Sequence, residues 1–261
     1  MPTDIFVKRR NDSLLFFAAL SVLTVGSIVI TGYDVVAGFT SIGKALVWGA
    51  KNFYPDAHAM TKLPEIARKL RDTVLMSVAA TTISAIFAAV LAMVGSRTTR
   101  INNLFSVIAR GIASVFRNIP LVAWAMILML AFSQSQLTGY LALFFGSVGF
   151  LTRAFIETID EVSIDAVEAV QATGASYSSI VLQVVLPSGL PQMVSWLLFM
   201  IDTNIRDATL VGLLTGTGVG FSFDVYYKSF HFHEASLVVI MIVITIMSIE
   251  VISNYIRRII L

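Results

Sequence analysis

The stretch EAVQATGASYSSIVLQVVLP, residues 168–187, decides how the rest of the chain is read. It lies in a longer segment, Glu157–Ser188, that carries Glu157, Asp160, Glu161, Asp165 and Glu168 and no lysine or arginine. Glu168–Thr173 has helical content. Gly174 then offers a point where the chain can turn, because a residue without Cβ enters the left-handed region freely. A second short helix is expected over Ser176–Val185, stopping at Pro187, whose ring opposes the preceding turn. The predicted product is a helix–turn–helix elbow with an acidic surface.

The flanks of this elbow are apolar. A span needs about 20 mostly apolar residues, because the hydrocarbon layer is about 30 Å thick and a helix rises about 1.5 Å per residue. Gly139–Thr158 precedes the elbow and Leu190–Leu213 follows it. Leu14–Gly32, Thr73–Gly95, Leu104–Phe132 and Ala235–Ile256 also qualify, which makes six candidate spans. Composition agrees: 57% of the 261 residues are hydrophobic and 13% are charged, and the mean hydropathy is +0.84. A soluble domain carries about 25% charged residues, so a soluble fold is excluded and an all-α, multi-pass membrane protein is expected. The net charge of +2 gives no argument for nucleic acid. There is no cysteine, hence no disulfide and no thiolate chemistry. The basic N-terminus MPTDIFVKRRNDS runs into a long apolar segment and reads as a retained anchor.

Between spans the chain is informative in three places. Leu104–Phe132 is too long for a simple crossing and holds Arg110, Arg117 and Pro120, so a kink or break is expected around Asn118–Pro120. Within Tyr33–Asp72, Leu63, Ile66, Ala67 and Leu70 recur at helical spacing against Glu65, Arg68, Lys69 and Arg71, which predicts an amphipathic helix on the membrane surface. With the N-terminus inside, the loops carry seven basic residues on each side, so charge alone leaves orientation tied.

The elbow pattern is Glu168-Ala169-Val170, three residues, Gly174, nine residues, Val184, one residue, Leu186-Pro187. It resembles the EAA loop of ABC importer permeases, with Val170 for the second alanine and Val184 for isoleucine. A second stretch, Asn204 through Gly220, resembles the phosphonate-type permeases: Asn204, Arg206, Ala208, Thr209, Gly212, Leu213, Gly218 and Gly220 fit, while Thr215 and Thr217 replace glycines. Arg117-Asn118-Ile119-Pro120 resembles the R-x-I-P stretch of the same permeases. The resemblance implies a type I importer transmembrane fold, with residues 1–72 as an N-terminal helix and amphipathic outer segment and residues 73–256 as the permease core. It implies that Glu168, Ala169, Gly174, Leu186 and Pro187 couple the chain to a cytosolic ATPase. It further implies two such ATPase subunits that hold ATP and magnesium, an extracytoplasmic substrate-binding protein, and a second permease copy. No cofactor is expected in this chain. The elbow would then be cytoplasmic, as would both termini, in a bacterial inner membrane. Phosphonate, phosphite or phosphate is the implied substrate class.

Asp202 and Arg206 are four residues apart near the middle of a span, acid first. An ionised residue there costs at least about 2.5 kcal/mol unless paired or wet. Two readings stand. Arg206, with Arg117 and the hydroxyls of Thr209, Thr215 and Thr217, lines a pathway for an anion; or Asp202 pairs with Arg206 or Arg117 and holds helices together. Gly212–Gly220 reads as an outer gate or a break before the last span, or as a plain loop. Gly38–Ala45 nearly spells a phosphate-binding loop, but Ala45 stands where a hydroxyl should hold magnesium and no strand precedes it. His231, His233 and Glu234 read as an interfacial polar–aromatic belt rather than a metal site. No catalytic constellation is evident. The remaining alternatives are an ion-coupled secondary transporter, an ABC permease for another small solute, and a lipid-phosphate enzyme; dependence of transport on an ATPase separates them.

Overall fold

A computed structural model describes residues 5–100, 102–162 and 164–260. The described residues are helical almost throughout, and the chain divides into two compact units, Met1–Tyr54 and Pro55–Leu261.

The first unit holds α1, Ile5–Thr31, and α2, Val35–Asn52. From Val7 to Thr31, α1 is long and apolar enough to cross a membrane. Asp34 caps α2 by accepting from the Ala37 amide at 2.8 Å. The stretch that nearly spells a phosphate loop lies wholly inside α2. Its amides are therefore committed to the helix and cannot cradle a phosphate.

The second unit opens with α3, Ala57–Thr61, capped by Asp56, and continues into α4, Leu63–Gly95. Leu63–Leu70 is helical, as expected, and is the first part of the 33-residue α4 rather than a separate helix. Its apolar stripe is covered by protein: Ile66 and Leu70 pack with Ala59, Val219, Leu237 and Val238. A helix face cannot tell from its own pattern whether lipid or protein will cover it. A boundary between residues 72 and 73 accordingly falls inside an unbroken helix.

α5, Asn103–Asn118, and α6, Leu121–Phe132, follow. They meet at 93° across Ile119–Pro120, the expected place, because Pro120 offers no amide and its ring forbids continuation of the preceding turn. α7, Gln136–Val162, is the central helix against which α4, α5 and α6 pack. α8, Ile164–Ala172, and α9, Tyr177–Ile180, form the elbow. A π-helical turn, Val181–Val185, joins α9 to α10, Leu186–Thr215, which also packs on α7. α11, Gly218–Lys228, and α12, Phe232–Ile260, complete the unit. Five described helical stretches are long and apolar enough to span, or six if α5 and α6 count as one.

Pro187 gives a correction. The helix does not stop there; α9, the π turn and α10 run on from Tyr177 to Thr215. Pro187 falls in the first turn of α10. The π turn immediately before it adds a residue to the helical ring, which opens space for a ring that would otherwise strike the carbonyl one turn back.

The inward face of α4 is made of small residues, among them Thr73, Ser77, Thr81, Ser84, Ala88 and Ala92. Lipid tails are as apolar as leucine, so helices in a bilayer associate through close packing and interhelical hydrogen bonds rather than through apolar burial. This stripe lets α7 approach closely, and Ser84 donates to the Phe144 carbonyl at 3.0 Å.

Candidate functional site

The elbow is held from beneath and bare on top. Val167, Ile180 and Val185 are buried with Phe155, Ile156 and Ile159 of α7 and Ala88 and Ala92 of α4. Glu168, Ala169 and Gly174 are exposed. Gly174 has φ +77°, a left-handed turn that a Cβ would strain, and its amide donates to the Gln171 carbonyl at 3.0 Å. Ser176 then caps α9 by accepting from the Ser179 amide. Leu186 is half-buried at the start of α10, and Pro187 is exposed. The side chain of Asp165 lies outside the described residues.

A carboxylate ties this region together. Asp160 Oδ1 accepts from Ser96 Oγ at 2.5 Å and from the amides of Arg97 and Thr98 at 2.8 and 3.3 Å. Arg110 Nη2 stands 3.6 Å from Asp160 Oδ2. Tyr177 Oη, on the elbow, donates to the Thr99 carbonyl at 2.7 Å. The α4–α5 loop is thus bracketed between the end of α7 and the elbow. Sequence reading placed Asp160 only among the acidic residues of the loop and gave Tyr177 no role. Nothing local marks their partners, which lie between 50 and 78 residues away.

Near the middle of the bundle, Asn204 of α10 is fully buried. Its Nδ2 donates to Thr81 Oγ1 at 2.7 Å and to Ser147 Oγ at 2.6 Å, and its carbonyl accepts from Ser77 Oγ at 3.3 Å. It stitches α10 to α4 and α7, and its side-chain amide is engaged between these helices. Asn204→Leu should remove both side-chain bonds. At about 0.6 kcal/mol for an average interhelical bond in a membrane protein, up to about 1.7, the expected loss is about 1–3 kcal/mol. Equilibrium unfolding in mixed micelles would measure it, with unchanged stability refuting the role.

Asp202 and Arg206 form an ion pair along α10. The Asp202 side chain is 8% exposed and that of Arg206 is 51% exposed. Asp202 Oδ1 is buried with no hydrogen-bond partner among the described residues. The acid is therefore sunk in the bundle, while its guanidinium partner reaches the surface of the chain. The Thr209 hydroxyl donates to the Arg206 carbonyl at 2.6 Å and is occupied by its own helix. Arg117 takes no part in this pair. The backbone at Phe116–Arg117 lies so close to Gly149 that a Cβ there would stand 2.5 Å from the Arg117 nitrogen. The Arg117 side chain lines a cavity with Arg110, Arg153 and Asp160.

The glycine run forms a corner rather than an exposed loop. α10 ends with Gly216 at φ +66°, and the Thr217 amide donates to the Gly212 carbonyl at 3.1 Å. Gly218 takes φ +66°, and the Val219 amide donates to Thr73 Oγ1 at 3.0 Å. A Cβ on Gly220 would overlap the Thr209 carbonyl, and one on Gly212 would stand 2.5 Å from the Thr217 carbonyl oxygen. These glycines let α11 fold back onto the end of α10 at backbone contact.

Comparison with known proteins places this architecture. A family model described as a binding-protein-dependent transport system inner membrane component matches residues 81–261. The phosphite transport system permease protein PtxC of Stutzerimonas stutzeri is 30% identical over 191 residues, 73% of this chain and 70% of that protein. The phosphate-import permease protein PhnE of Mycolicibacterium smegmatis is 30% identical over 190 residues, 73% of this chain and 36% of that protein. Among solved structures, the MetNI methionine ABC transporter in inward-facing conformations has a chain that superposes with a TM-score of 0.63 at 22% identity, over 76% of this chain and 98% of that one. That likeness carries the fold. The matched region includes the elbow, the Asp202–Arg206 pair and the glycine corner, and the family consists of permease subunits rather than enzymes. This chain belongs to the binding-protein-dependent transport system inner membrane components, and is a multi-pass type I ABC importer permease of the phosphonate kind.

Proposed function

We propose that the chain is the permease subunit that carries a small phosphorus oxyanion, phosphonate, phosphite or phosphate, into a bacterial cell through the inner membrane. Two copies enclose the path, and the elbow of each docks into one of two cytosolic ATPase subunits. An extracytoplasmic binding protein delivers the anion. Both termini and the elbow face the cytoplasm. ATP and magnesium are held by the partner, so the chain itself performs no bond chemistry.

One observation carries this reading: α9, the second arm of the elbow, and the Asp202–Arg206 pair belong to one continuous helical stretch, Tyr177–Thr215. From Tyr177 to Arg206 that stretch is roughly 40 Å long at 1.5 Å per residue. A displacement imposed at α9 is passed along α10, whose backbone hydrogen bonds resist bending except at the π turn and at Pro191, which lies inside the helix and offers no amide. The exposed Arg206 guanidinium presents a planar fork suited to phosphorus oxyanions, and its buried acid partner fixes where it can reach. Nucleotide binding biases two states through the difference in elbow position between them. The names of the relatives, which specify phosphite and phosphate, support the substrate class.

The test is uptake of radiolabelled phosphite or phosphate into proteoliposomes that contain the permease, with its ATPase and binding protein present or omitted. Uptake that requires all three together with ATP is the expected result. Uptake by the permease alone, driven by an ion gradient, would refute the reading.

A further inference from the structure

At the elbow end of the bundle, α5 and the C-terminal half of α7 enclose a cavity of about 520 Å³. Four guanidinium groups line it, from Arg97, Arg110, Arg117 and Arg153, against two carboxylates, Glu157 and Asp160. The carboxylates are already engaged. Glu157 accepts from Arg153 Nε at 2.5 Å, and Asp160 holds the Ser96–Thr98 turn beside Arg110. Arg110 Nε is also used, donating to the Gly95 carbonyl at 2.7 Å. Arg110 Nη2 is different: it is buried and has no hydrogen-bond partner among the described residues. The guanidinium groups of Arg97 and Arg117 form no ion pair and no side-chain hydrogen bond among the described residues.

Four positive groups against two negative ones leave this cavity with a surplus of two charges. Arg110 Nη2 is buried without a hydrogen bond, its counter-charge being Asp160 Oδ2 at 3.6 Å, and like charges gathered at one wall repel unless an anion joins them. We propose that the cavity is a binding site for a phosphate-class dianion, gripped by Arg97 and Arg117 and reached from below by Arg110 Nη2. Planar guanidinium forks match the oxygens of such a group two at a time, and the volume falls within the range of small-molecule pockets.

The same chemistry is offered by a free oxyanion and by a phosphorylated lipid headgroup. The polar face of α5 turns to the cavity, whereas Ile108, Ile112 and Val115 are exposed on its other side. An acyl chain would follow that apolar side, so the experiment keeps the two sources apart. The site extends the oxyanion reading of the transporter, but its test does not depend on transport, because binding is measured on the permease without ATPase or uptake. A failure here leaves the uptake experiment standing, and the converse also holds.

The full chain is placed in nanodiscs of phosphatidylcholine alone and titrated with inorganic phosphate, with heat and thermal midpoint recorded. A matched set carries phosphatidic acid. Arg97→Gln combined with Arg117→Gln is compared with wild type. Arg100→Gln serves as a control, since Arg100 is exposed on the same loop and does not line the cavity. Of the four cavity arginines, Arg97 and Arg117 are exposed and their guanidinium groups have no partner among the described residues, so their replacement leaves the packing intact. Saturable phosphate binding in phosphatidylcholine discs, weakened at least about tenfold in the double variant and unchanged in the control, supports the site and a free anion. Stabilisation seen only with phosphatidic acid, and lost in the double variant, supports the site with a headgroup as occupant. No saturable response in either disc, or an equal response from the double variant, overturns it.

Discussion

Glu168→Lys combined with Ala169→Arg is expected to reduce ATP-driven uptake about a hundredfold while the protein stays folded in the membrane. Both side chains are exposed on the bare face of the elbow, with Val167 beneath them in the core. Reversing one charge and adding a bulky second cation at the centre of a docking surface removes a contact of the kind that costs about 2–4 kcal/mol, and about 2.7 kcal/mol corresponds to a hundredfold in affinity. The fold should hardly notice, because surface changes away from special features stay within about 0.5 kcal/mol, or about 2 °C in melting temperature for a chain of this size. Co-purification of the ATPase separates loss of docking from loss of gating. Gly174→Arg should act in the same direction by forcing a side chain into a left-handed turn. Wild-type recovery of the ATPase together with wild-type uptake in both variants would remove the elbow from the mechanism.

Gly220→Val is expected to give the largest loss of stability of any substitution considered. A Cβ at this position overlaps the Thr209 carbonyl, and neither partner is a flexible side chain that can swing away. α11 must therefore lift from α10. Lifting it also stretches the Val219–Thr73 hydrogen bond and opens the packing of Ile66, Leu70 and Val238 around Val219. Overpacking that moves backbone costs about 1–3 kcal/mol, and a broken corner adds to it, so a loss of about 3 kcal/mol or more is expected. Gly111→Ala is the companion measurement. Gly111 lies within α5 with open space where its Cβ would go. There the substitution should stabilise by up to about 1 kcal/mol through helix propensity. Thermal unfolding of both variants in the same detergent decides the matter, and similar melting points would refute the corner.

Much of the architecture can be read along the chain, and the reason is local. The spans follow from runs of apolar residues long enough to cover the hydrocarbon. The break at Asn118–Pro120 follows from a missing amide and a rigid ring. The elbow turn at Gly174 follows from the one residue type that tolerates its backbone angles. Each conclusion needs only a residue and its near neighbours. Pro187 misled for the same reason: judged against its own turn it ends a helix, and the π turn that accommodates it is a property of the five residues before it. Leu63–Leu70 was recognised as an amphipathic helix, but the surface that covers it comes from α3, α11 and α12.

The candidate site was legible as residue types rather than as contacts. For Asp202 both Arg206 and Arg117 stood open as partners; the structure pairs it with Arg206, since partners four apart on a helix meet wherever that helix goes. Asn204 was singled out for its place in a pattern, yet its role follows from Thr81, 123 positions away, and Ser147, 57 positions away. Arg117 was marked as a charge inside a span. That it opens onto a cavity with Arg97, Arg110 and Arg153 depends on Gly149 admitting the backbone of α5. Gly149 itself carried no signal, because a small residue in an apolar helix resembles every other small residue there.

Composition and order along the chain were thus enough to say which segments are long and apolar enough to span a bilayer, where the chain breaks and where it turns back at the elbow, because backbone hydrogen bonds in lipid must be satisfied within a segment. The folded structure alone chose which polar side chains meet, at what angle α5 and α6 part, and which charges are left over. Those outcomes depend on close packing between helices far apart in sequence, where contact at the scale of a single methyl group separates one arrangement from another.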